Sequence, residues 1–140
     1  MRRAVLPAAL YIFLIQGCSL VSSPAYVYRG VPATVAVVSG FVQRGTASWY
    51  GVPFHGRQTA SGETYDMNGM TCAHRTLPFG TRLLVTNTGN GRTATVRVTD
   101  RGPYVSGRII DLSRGAASSL GMLETGTAQV EIRVVGNAGD

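Results

Sequence analysis

Arg82-Leu-Leu-Val-Thr-Asn-Thr-Gly-Asn-Gly-Arg-Thr-Ala-Thr-Val-Arg-Val-Thr-Asp100 decides the class of fold. Arg82–Asn87 and Arg92–Thr99 are rich in residues that suit pleated sheet, and Asn90-Gly91 between them tolerates the positive φ angles of a two-residue hairpin. In the second strand Ala94, Val96 and Val98 fall on one face, with Thr93, Thr95, Arg97 and Thr99 on the other. One face is therefore core and the other wet. Working outward, Val130, Ile132 and Val134 alternate with Gln129, Glu131 and Arg133, which predicts a closing strand. Thr46–Tyr50 and Arg108–Leu112 are further strand candidates, and Ser113 is placed to cap a short helix through Leu120 that Gly121 terminates. The expected fold is all-β: a closed barrel of six short strands with one or two short helices and glycine-rich loops.

The chain has 140 residues, enough for one small domain. Arg2 and Arg3 precede the apolar run Ala4–Ile15, and Ile15-Gln-Gly-Cys18 has the form of a lipoprotein signal cut before Cys18. Residues 1–17 are thus expected to leave, and Cys18 to carry the lipid that holds the protein at a membrane. Residues 18–44 mix Ser, Pro, Ala, Val and Gly without helical period and read as a flexible tether, although Thr34-Val-Ala-Val-Val38 has the composition of an extra strand. The barrel is expected over 45–136, with a tail over 137–140.

All thirteen basic residues are arginine, and the formal charge of +6 loses two with the signal. Scattered arginines do not form the clustered patch of a nucleic-acid binder, so no nucleic-acid partner is expected. A mildly basic surface suits an acidic polymer. With Cys18 lipidated, Cys72 has no disulfide partner and reads as a small buried residue. Cys72 and His74 lack a second pair at ligand spacing, so no metal and no cofactor are expected.

Five blocks follow in order: Gly45-Thr-Ala-Ser-Trp-Tyr-Gly51, Phe54-His-Gly-Arg57, Thr59-Ala-Ser-Gly-Glu63, Ala73-His-Arg-Thr-Leu-Pro-Phe-Gly80 and Asp100-Arg-Gly-Pro103. Together they resemble the rare lipoprotein A (RlpA) family, and the resemblance covers nearly the whole folded part of the chain. It implies a double-psi β-barrel acting on bacterial cell-wall glycan, an envelope location, and, with Ser19 after the lipid site, the periplasmic face of the outer membrane of a Gram-negative cell. A monomer is expected. Many members carry a C-terminal SPOR domain, whereas this sequence runs from Val135 to Gly136-Asn-Ala-Gly-Asp140, so septal targeting is not implied. More distantly the barrel resembles the first domain of expansins, which makes a non-catalytic glycan-binding module the alternative function.

Only seven residues are acidic, so each carboxylate carries weight. Asp100 follows the Val96/Val98 strand at a parity that aims it to the core side, and Arg101-Gly-Pro103 then turns the chain. Its position matches the family's catalytic aspartate, and the resemblance adds Glu63 and His74 to the same groove as catalytic residues that hold the sugar and favour the positive charge as the oxocarbenium-like centre develops. Asp66, His55, Arg57, Arg75 and Arg101 are candidate binding residues, and Trp49, Tyr50 and Tyr104 offer faces for sugar rings. Asp111, between Ile110 and Leu112, reads as structural.

Hydrolysis of a glycoside uses two carboxylates. A lytic transglycosylase needs no positioned water, because the C6 hydroxyl of N-acetylmuramic acid attacks its own anomeric carbon and leaves a 1,6-anhydro end. One carboxyl, assigned to Asp100, can protonate the leaving oxygen and then accept the proton of that hydroxyl. The sequence has no Gly-x-Ser-x-Gly elbow and no phosphate loop leading into a helix.

Overall fold

The computed structural model describes residues 40–140. Cys18, the signal, most of the tether and the Thr34–Val38 strand candidate lie outside them. Six strands close on themselves: β1 (Val42–Tyr50), β2 (Thr71–Ala73), β3 (Arg82–Asn87), β4 (Thr93–Asp100), β5 (Arg108–Ser113) and β6 (Thr127–Gly136), in spatial order β1-β5-β2-β4-β3-β6. The β1–β5 and β2–β4 pairs are parallel, and the remaining pairs antiparallel. Closure leaves no sheet edge unpaired, which suits a barrel built from strands this short. β1 starts at Val42, three residues before the expected boundary at Gly45, because Val42, Gln43 and Arg44 pair with Arg133, Ile132 and Glu131 of β6.

The alternation read from the sequence fills the interior. Ala47, Cys72, Leu83, Val85, Val96, Val98, Ile110, Leu112, Val130 and Ile132 are all at most 1% exposed. Burying each branched aliphatic side chain contributes roughly 1.5–3 kcal/mol, so this set is the main stabilising term. Burial also pushes the Cys72 thiol up, which keeps it protonated.

The short helix α1 (Arg114–Ser119) forms where the capping residue predicts it: Ser113 Oγ accepts the N–H of Ala116 at 3.2 Å. Its Ala116 and Ala117 close the barrel with Leu120 and Met122. The Leu120 carbonyl at its end accepts from Nδ2 of both Asn87 and Asn90, each at 2.9 Å. That contact changes the hairpin. The β3–β4 turn is not the two-residue form expected at Asn90-Gly91; it spans Thr88 to Gly91, with only Gly91 at positive φ (+74°). Asn90 keeps negative φ and uses its side chain to dock the turn on the helix. A single 3₁₀ turn, Val52–Phe54, follows β1.

Gly115 sets a sharp test of this packing. A Cβ there would lie 2.6 Å from the carbonyl oxygen of Asn68, and the Gly115 N–H already donates to Met67 at 2.8 Å. Since backbone is the obstacle, Gly115→Ala should destabilise the protein by about 1–3 kcal/mol, readable as a fall in melting temperature.

Candidate active site

Parity places the site on the outside of the barrel. In the parallel β2–β4 ladder Thr71 pairs with Arg97 and Cys72 with Val98, but Ala73 pairs with Asp100. The register skips Thr99, as a β-bulge does. Thr99 is therefore buried at 2% exposure, although simple alternation puts it on the wet face. Asp100, expected on the core side, instead shares the outer face with Ala73. On β5 and β1 the same face carries Asp111, Ser48 and Tyr50, since Ala73 pairs with Asp111 and Asp111 with Ser48.

Apart from Ser48, these residues line a cleft of about 380 Å³, together with Phe54, Arg57, Gln58, Thr59, Tyr65 and Arg101. Its second wall is the loop that follows the 3₁₀ turn. Gln58 and Thr64 bridge across it, Gly62 takes a φ of +88° at its tip, and its backbone docks on the end of β4 through Ser61 N–H to the Thr99 carbonyl at 3.1 Å. Asp100 completes that joint: its Oδ1 accepts from the Ala60 N–H at 3.0 Å and the Arg101 N–H at 2.9 Å. Among the described residues its Oδ2 has no hydrogen-bond partner, so that oxygen is the one available for a transferable proton.

Tyr50 forms the aromatic floor. Its ring stacks on Tyr65 with centroids 4.4 Å apart and meets Phe54 edge-on at 5.8 Å. The Tyr65 hydroxyl is bound to the Tyr50 carbonyl at 2.6 Å, but the buried Tyr50 hydroxyl has no partner among the described residues. Burial, then the charge of Asp100, pushes the Tyr50 phenol up, so it remains a donor throughout the physiological range. An unpaired donor in a cleft costs stability unless a ligand accepts from it. Tyr50→Phe should therefore leave the melting temperature unchanged or slightly higher, since no hydrogen bond among the described residues is lost.

The other candidates divide. Arg57 lines the cleft with its guanidinium 5.7 Å from the Phe54 ring centroid. Arg101 also lines it, but Nη1 is held by the carbonyls of His74 and Leu77, at 3.2 and 2.8 Å, and the group lies 3.9 Å over Phe79. Glu63 sits beside the cleft and not in its wall, with Oε1 2.8 Å from Arg97 Nη1, one outward position before Asp100 on β4. Both side chains are about half exposed, so this pair contributes little to stability. Arg75 donates to the carbonyls of Pro103, Val105 and Arg108 and fastens the loop between β4 and β5. Trp49 has core parity and packs against the interior. Tyr104 is 79% exposed on that loop, away from the cleft wall. Asp66 and His55 lie 4.0 Å apart, yet His55 Nδ1 accepts the Met67 N–H at 3.1 Å and Asp66 Oδ1 accepts that of Asn68 at 2.9 Å. With that nitrogen accepting, the approach is not an ion pair.

His74 is the buried exception, 4% exposed. Its Nδ1 accepts backbone N–H groups from Thr76 and Leu77, at 3.2 and 3.1 Å, which fixes the proton on Nε2 and directs it to Gln43 Oε1 at 3.1 Å. Its imidazole borders a separate hollow with Phe41, Gln43 and Ile109, while its backbone N–H reaches the Asp100 carbonyl at 3.1 Å. Burial, then the charges of Arg101 and Arg75, lower its pKa to about 4, so the ring is neutral near pH 7.

Asp111 is the cleft residue that the sequence reading left as structural. Its Oδ1 accepts from Ser48 Oγ and Arg108 Nη2. The signal was present in its alternation with Ile110 and Leu112: a carboxylate between two core residues on a strand belongs to the opposite face, where Asp100 also emerges.

A family model described as "Lytic transglycolase" matches residues 42–132. The chain is 56% identical over 105 residues to the endolytic peptidoglycan transglycosylase RlpA of Campylobacter jejuni, a match covering 75% of this chain and 38% of that protein. It is 60% identical over 88 residues to the protein of that name from Pseudomonas aeruginosa, covering 63% and 26%. The chain thus spans roughly a quarter to two-fifths of the relatives it matches. Among solved structures, the Streptomyces papain inhibitor superposes with a TM-score of 0.58 at 26% identity, over 71% of this chain and 98% of that one. An expansin of Clavibacter michiganensis superposes at 0.56 and 23% identity, over 71% and 53%, which is a likeness of fold. The match from the start of β1 into β6 and the identities to the RlpA proteins agree: this chain belongs to the lytic transglycolase family, as a double-psi β-barrel of the RlpA type.

Proposed function

We propose that the chain is a lytic transglycosylase of the bacterial wall, cutting the β-1,4 bond between N-acetylmuramic acid and N-acetylglucosamine in peptide-stripped glycan strands. The observation that carries this reading is Asp100, held by two backbone N–H donors on one oxygen and facing an aromatic- and arginine-lined cleft with the other. Asp100 gives its proton to the leaving O4 as the bond to the anomeric carbon breaks. The C6 hydroxyl oxygen then bonds to that carbon and its proton returns to Asp100, which is regenerated. No water enters the balance, so the product ends in 1,6-anhydro-N-acetylmuramic acid.

Tyr50 and Arg57 hold the sugar, the first through its ring and the second through charge attraction to the carboxylate of muramic acid. Glu63, paired with Arg97, binds at the rim. His74, neutral and buried, acts by fixing the backbone beside Asp100. The protein in this reading is a monomer lipidated on Cys18, as Ile15-Gln-Gly-Cys18 suggests, and held at the periplasmic face of the outer membrane, where wall glycan lies within reach. The test is mass spectrometry of peptide-free strands after incubation with the purified chain. Anhydro ends support the reading, and strands that are bound but uncut would point to an expansin-like binding module.

A further inference from the structure

Two acidic side chains face the cleft among the described residues, and the reaction as described uses one of them. Asp100 and Asp111 are both in register with Ala73, one on each side of β2. Their Cα atoms are thus two strand spacings apart, about 10 Å. Between them on β2 lies Ala73, whose small side chain lines the cleft and is 4% exposed. Asp111 and Glu63 are each paired with an arginine, Arg108 and Arg97, but only Asp111 lines the cleft wall.

Asp111 is held firmly. Ser48 Oγ from β1 and Arg108 Nη2 from its own strand both donate to Oδ1, and its side chain keeps 19% of its surface exposed, on the cleft side. Among the described residues its Oδ2 has no hydrogen-bond partner. The Tyr50 phenol, within electrostatic reach of both carboxylates, has an unpartnered hydroxyl in the same wall. A carboxylate fixed by donors on one oxygen and presenting the other to a cleft is preorganised to meet positive charge.

We propose that Asp111 is a second catalytic residue of this cleft: it stays a carboxylate and stabilises the positive charge that develops at the anomeric carbon, while Asp100 moves the protons. The inference rests on the transglycosylase reading above. The balance of the reaction is unchanged, since Asp111 forms no bond and neither gains nor loses a proton. What it supplies is charge placed before the reaction begins, which needs no reorganisation as the bond breaks.

Asp111→Asn keeps the shape of the side chain and an oxygen for Ser48 and Arg108 but removes the charge. In the purified full chain, assayed on peptide-free strands below the melting point of each variant, kcat should fall about a hundredfold or more while KM and strand binding stay within about threefold. Ser48→Ala removes one tether and keeps the charge, so it should lose far less, about tenfold at most. A purely structural Asp111 reverses this pattern, and the proposal is overturned if Ser48→Ala loses as much turnover as Asp111→Asn. It is also overturned if Asp111→Asn turns over within about threefold of the unmutated chain, or if the loss lies in KM alone. The unmutated chain in the same assay separates the two readings. If it makes no anhydro ends, the transglycosylase reading fails and takes this one with it; if it cuts and Asp111→Asn cuts equally well, only the role of Asp111 fails.

Discussion

Asp100→Asn should lower turnover by a hundredfold or more while glycan strands still bind and the melting temperature moves little. The asparagine oxygen can keep accepting the N–H groups of Ala60 and Arg101, which hold the loop against the end of β4. What disappears is the proton on the other side-chain atom. A general acid typically accounts for a factor of 10²–10⁴, so an effect of that size with binding intact identifies proton transfer as the lost step. Weakened binding with unchanged kcat would instead make Asp100 a binding residue.

His74→Ala should act through the fold. Removing the ring leaves the N–H groups of Thr76 and Leu77 without their acceptor at a buried site, and takes away the edge contact with Phe41 at a centroid distance of 6.0 Å. Two buried donors left unpaired, with a cavity beside them, should destabilise the protein by about 3 kcal/mol, enough to lower the melting temperature of a domain this size by roughly 10 °C or more. Turnover should fall because the His74 backbone supports Asp100, and it should fall together with stability. Unchanged melting with abolished turnover would show that the imidazole touches substrate.

The same ring gives the protein an acid limb of stability. In the folded state its pKa is lowered from 6.5 to about 4, so the unfolded chain binds the proton more readily. The stabilisation is fully present above about pH 6.5 and is lost as the pH falls toward about 4. Melting temperatures measured across that window should decline for the unmutated chain, and His74→Ala should lack this part of the decline.

Much of the barrel was legible in periodicity. Arg82–Asn87 begins and ends where its apolar alternation does, and Ser113 caps α1 as its side chain predicts. What alternation could not show was the place where alternation breaks. The skipped Thr99 turns inward and so puts Asp100 on the outer face; bulges of this kind are set by the partner strand, β2, which at three residues is too short to announce itself. The outward face of Asp111 was legible in its alternation, but its companionship with Asp100 was not, since that exists only through Ala73. The Asn90-Gly91 turn was misread for a related reason: Asn90 serves the carbonyl of Leu120, thirty residues onward, and a local rule does not see that partner. Arg75 and Trp49 were attractive as residue types, but the fold uses the first to bind carbonyls and the second to pack against the core, whereas Arg101 binds carbonyls and still lines the cleft.

The most direct measurement is the mass of the new ends released from peptide-free glycan strands by the purified chain. Attack by the C6 hydroxyl predicts 1,6-anhydro-N-acetylmuramic acid, one water lighter than a hydrolysed end, and predicts that Asp100→Asn yields almost none. Reducing ends would contradict that account and make the cleft a water-using hydrolase built on two carboxylates.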